Sequence, residues 1–148
     1  MNIQTLYDSD FNAWIQQNIL LLKESRLNEI DTKHLIEELE DMAKSDKREL
    51  VNRFVILIAH LLKWQYQPAM QSNSWSRTID EQRDQINDGF IENPSLKPYA
   101  TEAIEKSYSR AVKLAHKETK LPISTFPTQC LYTQDQLLDE NFYPDDSK

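Results

Sequence analysis

The sequence predicts an all-α protein: four main helices packed as a bundle around one long central helix, at about residues 31–67, followed by a C-terminal arm with a short helix. Three observations predict it. Apolar residues recur at three- and four-residue spacing through most of the chain, the period of an amphipathic helix. The stretch from Asp31 to Pro68 keeps that period with no glycine or proline inside it. Gly89 is the single glycine in 148 residues, which disfavours the tight hairpins from which sheets are built. By length this is one domain, with residues 1–121 as the bundle and residues 122–148 as the arm.

The first helix is expected to start near Asp8 or Ser9, either of which can cap it by accepting a free backbone N–H. Its inward face would be Phe11, Trp14, Ile15, Leu21 and Leu22. Asn18 interrupts that face, where it fits as a partner for a buried polar group on another helix. The turn around Arg26 to Asp31 is short, so the next helix should run antiparallel.

That central helix puts Leu35, Leu39, Met42, Ala43, Leu50, Phe54, Leu57, Leu61 and Trp64 on one face. Asp31 or Thr32 can cap it, and the acidic run Glu37, Glu38, Glu40 and Asp41 lies toward the positive end of its dipole. Pro68 has no N–H to give and ends it. A rise of about 1.5 Å per residue makes the span ~55 Å, long enough that a kink is expected in the polar patch Lys44 to Lys47.

After a linker over residues 68–74, Ser72 or Ser74 can cap a third helix that turns Trp75, Ile79, Gln82, Ile86 and Phe90 inward and is closed by Gly89, Asn93 and Pro94. Ser95 and Pro98 open a fourth. Its face of Ala100, Ala103, Ile104, Ser107, Ala111, Leu114 and Ala115 is small enough for close helix approach. His116 near its end suits the last carbonyls. In the arm, Thr133 and Gln136 fit a capping box that starts a short helix. Phe126, Tyr132, Phe142 and Tyr143 must be buried on the arm's own bundle or on a second copy, which makes them the candidate interaction residues.

Composition excludes several function classes. One cysteine, Cys130, rules out an intramolecular disulfide and any multi-cysteine metal centre. A single glycine cannot furnish a phosphate-cradling loop or a dinucleotide-binding turn, and no cofactor is expected. A net charge of -7 argues against a general grip on nucleic acid. No apolar run approaches the ~20 residues that span a bilayer, so no membrane partner is expected. The opening MNIQTLYDSDF lacks a basic region followed by an apolar core, so no secretory signal is expected and the cytoplasm is the expected location.

One polar line is the place to look for chemistry. Asp46, Arg53 and His60 are spaced by sevens, so they fall within about 40° of one another near the buried stripe. Seven residues of helix span ~10 Å, so each needs partners from elsewhere. Glu49 can pair with Arg53 along the helix, and Gln82 on the third helix can face the row. Asp46, Glu49, Arg53, His60 and Gln82 are therefore either a polar network that fixes helix register or the lining of a cleft. In the second case Arg53 and His60 are the catalytic candidates, His60 as general acid or base and Arg53 steadying developing negative charge. Their Arg-x6-His spacing resembles the motif of HEPN ribonucleases, which makes a nucleic-acid-processing hydrolase the alternative function. Glu37 with Asp41, and His34 with Glu38, are four residues apart and could chelate. Neither Glu-x-x-His nor His-Glu-x-x-His occurs, so no metal site is expected.

The blocks LYDSDFNAW, IEELEDM, HLLKWQYQP, SWSRTIDEQR, NPSLKPY and LPISTFPTQC cover nearly the whole chain. In that order they resemble the helical family catalogued as domain of unknown function number 29, abundant in cyanobacteria. Leu131 stands where that pattern has proline. The resemblance implies a small, soluble, all-helical protein, and it transfers no catalytic residue. The leading expectation is a protein-interaction or self-associating module, meeting a second copy or another protein through the arm.

Overall fold

The computed structural model describes residues 2–145. Among them are six α-helices and no strand: α1 (Ile3–Ser9), α2 (Phe11–Lys23), α3 (Thr32–Tyr66), α4 (Asn73–Glu92), α5 (Ala100–Thr119) and α6 (Gln134–Leu138). The protein is all-helical, as the period predicts, and α3 begins and ends within one residue of its expected bounds. It stays helical through Lys44 to Lys47.

Two compact units divide the chain, residues 1–45 and residues 46–148, so the boundary falls inside α3. The physical reason is coverage: every residue from Leu39 to Glu49 is exposed.

In the first unit, the single helix expected from residue 8 onward is two helices. Asp10 closes α1 and caps α2, its side chain accepting from the Ala13 N–H at 3.1 Å. An aspartate that competes for backbone donors favours such a break. Of the face expected to point inward, only Trp14 is buried, together with Asn18; Ile15 and Leu21 are half-buried, and Phe11 and Leu22 are exposed.

In the second unit α3 is buried nearly all round, through Leu50, Phe54, Leu57, Ile58, Leu61 and Leu62, as befits the element at the centre of a core. α4 brings Ile79, Ile86 and Phe90 to that core, and α5 brings Ala103, Ala111 and Ala115. Ser72 caps α4. Gly89 does not close that helix; it lies within it, three residues before the end. α6 starts with the predicted capping box and packs against α4 and α5.

Candidate functional site

The polar row does not assemble. Asp46 is exposed, as is every residue of α3 from Leu39 to Glu49. It lines a groove of about 230 Å³ with Glu49, Arg53, Asp88 and Glu92, over a floor that includes Leu50, Ile86 and Phe90. Arg53 is half-buried, donating to Glu49 at 2.7 Å and, at 3.5 Å, to Gln82, the α4 residue expected to face it. His60 lies outside that groove. Its Nδ1 is 2.8 Å from the Ile56 carbonyl, and burial, with Lys63 adding to it, holds its pKa below the ordinary value. Lys63 is buried, pairs with Glu118 at 2.5 Å and lies over the Trp75 ring. Arg53 and His60 thus keep separate partners, and no single centre brings them together.

A buried cation, Arg83, holds the arm in place. Arg83 is 1 % exposed and donates to the main-chain carbonyls of Leu137 at 2.8 Å, Gln136 at 3.2 Å and Phe142 at 2.8 Å. The Tyr143 ring lies against its guanidinium. Its remaining terminal nitrogen, Nη1, is buried without a hydrogen-bond partner, and burial lowers its pKa. The arm's side chains are packed on their own unit as well. Phe126 is buried edge-on to Tyr66, Tyr143 packs on Trp64, Tyr132 donates to Gln65 at 2.6 Å, and Phe142 meets Tyr132. Of the four residues expected to offer an interaction surface, Phe126 is buried and Tyr132, Phe142 and Tyr143 are half-buried against their own unit.

A polar and aromatic cluster ties the first unit together. Asp31 is 1 % exposed and caps α3. It accepts from the Trp14 indole at 2.9 Å and sits 2.6 Å from His34 Nδ1, while its own N–H donates to Asn18 at 3.0 Å. Asn18 is thus the partner of a buried polar group on another helix. Burial would raise the Asp31 pKa, but the hydrogen bonds from Trp14 and His34 outweigh it and the net shift is downward. Tyr7 stacks on His34 at 4.0 Å and donates to Glu38, a bond that pushes the phenol up to about 12. With Nδ1 facing a carboxylate, the His34 ring is held in a fixed orientation. The chemistry this cluster visibly performs is to fasten α1 and α2 onto α3.

These contacts also fix what the first unit leaves open. As α3 advances from Asp31 to Glu38, its partners retreat from Asn18 and Trp14 to Tyr7, so it runs antiparallel to the first two helices. At about 100° per residue, Ile36, Leu39, Met42 and Ala43 form a stripe roughly 120° wide, centred clockwise of the covered face of α3. On α2, Phe11, Ile15, Ile19 and Leu22 lie clockwise of its covered face by a similar angle. Both stripes consist mostly of exposed residues. Leu39 is 63 % exposed, Met42 64 % and Ile36 50 %.

The chain is thus an all-helical protein whose second unit holds most of the buried core and whose first unit carries most of the exposed large apolar side chains. Its family is shown directly: the model described as "Domain of unknown function DUF29" matches residues 6–143, and the chain belongs to that family. No curated protein and no solved structure matches it. No helix among the described residues is long and apolar enough to cross a membrane.

Proposed function

We propose that the protein is an interaction module, with the second unit as its folded body and the first as its contact surface. One observation supports this above the others. Of the twelve exposed large hydrophobic side chains among the described residues, eight lie in residues 1–45; of the twenty-two buried hydrophobic residues of any size, Trp14 alone does. Single exposed apolar residues are ordinary, but their concentration on one helical hairpin is the signature of a surface awaiting cover.

The hydrolytic alternative, with Arg53 and His60 as its working pair, has less support. The Glu49 and Gln82 contacts of Arg53 and the Ile56 contact of His60 lie about two helical turns apart, and the groove that Arg53 lines does not include His60.

The contact reading requires the face to be either occupied or available. The purified chain is therefore expected either to sediment as an assembly or, as a monomer, to bind an apolar dye such as anilinonaphthalene sulfonate at Leu39 and Met42. A monomer that binds no dye would refute the reading.

A further inference from the structure

We propose that a cleft in the second unit, between α5 and the first part of the arm, binds a small organic amine, with an aromatic or apolar body against Tyr108 and Tyr132 and its ammonium at Glu105. The site lies wholly within residues 101–134 and goes beyond the contact reading above. Shape, polarity and charge each support it.

The cleft is built into the fold. Thr101, Ile104, Glu105 and Tyr108 recur at three- and four-residue spacing, so they form one face of α5. The arm is tied down before and after the stretch that faces them: the Tyr108 hydroxyl donates to the Pro127 carbonyl at 2.6 Å, and the Thr101 hydroxyl donates to Gln134 at 3.4 Å. Between those ties Thr128, Gln129, Cys130 and Tyr132 make the second wall, and the space between the walls is about 660 Å³. A cavity of that size takes a drug-sized organic molecule.

Its lining is graded. Ile104 and Tyr108 are buried and form the floor, with the half-buried Tyr132 and Cys130 beside them, while Glu105, Thr128 and Gln129 are exposed and form the rim. Burial raises the Tyr108 phenol to about 12 and pushes the Tyr132 phenol and the Cys130 thiol up as well, so the floor is uncharged near neutral pH. Both phenol protons are already given away, that of Tyr132 to Gln65 at 2.6 Å. Such a floor suits an apolar or aromatic body, since ring edges and sulfur are favourable neighbours for another ring.

Charge decides the other end. Among the described residues that line the cleft, Glu105 is the only charged one. Lys106, next along the helix, turns instead to Glu102 at 3.5 Å and to the Tyr99 hydroxyl at 3.3 Å. Glu105 forms no ion pair among the described residues. A carboxylate left without a cation beside an aromatic floor repels acids and favours a ligand that carries one positive charge next to a ring.

The test uses the full chain with benzylamine, phenethylamine and tryptamine, and with phenylacetate as an acid of matching size. Cys130 is the only cysteine, so an occupant of the cleft should slow its reaction with dithiodipyridine, while titration calorimetry gives the affinity. At least one amine should bind with a dissociation constant below about 1 mM, shield Cys130 and lose roughly fivefold in affinity in Glu105→Gln. Glu105 is exposed, so that variant should keep its helical circular dichroism, and Glu102→Gln, outside the cleft, should bind as the wild type does. No binding by any of the three amines overturns the inference. So does binding that leaves Cys130 unshielded, that Glu105→Gln does not weaken, that both glutamine variants weaken alike, or that phenylacetate equals.

Discussion

Arg83 is the residue on which most depends. Its guanidinium replaces water with three carbonyls of the arm, and a buried charge held by neutral acceptors is costly to leave unmatched. Arg83→Met should cost about 2–4 kcal/mol in urea unfolding, and Arg83→Lys should recover little, since one ammonium cannot reach all three carbonyls. The sequence carried a signal for it: on the α4 wheel Arg83 falls about 40° from Ile79, inside the stripe that also holds Ile86 and Phe90. His60 gives a second prediction at this scale. Its folded pKa is depressed below 6.5 by burial, so the unfolded chain takes up the proton more readily. Its contribution to stability is complete above pH 6.5 and is lost as pH falls through the folded value. Urea midpoints measured on either side of that pH should diverge in the wild type and converge in His60→Gln.

At the scale of elements, the helix period located α2 through α5 and the capping box located α6, because spacing and caps are local properties of the chain. The break at Asp10 was hidden, since Asp8, Ser9 and Asp10 are all competent caps and only packing selects among them. Gly89 was misread as a terminator. It sits inside α4, and a Cβ built there meets nothing within 4 Å. Gly89→Ala should therefore stabilise the protein by about 0.5–1 kcal/mol, raising the thermal midpoint, because alanine gives up less backbone entropy in a helix. A loss of stability would mean that the groove beside Gly89 needs its width. The candidate site was less legible than the helices. Arg53, Glu49 and Gln82 do meet and Asp46 lines the same groove as Arg53 and Glu49, but His60 shares only a wheel angle with them, and an angle does not say what neighbours cover it.

For the whole molecule, the informative contrast lies within α3. Leu39 and Met42 share a face with Phe54 and Leu57, yet the first two are exposed and the last two fully buried. Periodicity says which side of a helix is apolar; it does not say whether the same chain supplies the cover. The arm is held on the second unit by Arg83 and by the aromatic side chains around it, whereas the stretch of α3 from Leu39 to Glu49 is exposed throughout. That stretch has a practical consequence. From Leu39 to Glu49 no residue is sheltered, and so short a run of isolated helix is marginal in water. Lys44, Lys47 and Arg48 lie within it, so brief digestion of the native protein with trypsin should cut there before it cuts any other helix, yielding two fragments whose masses meet near residue 45.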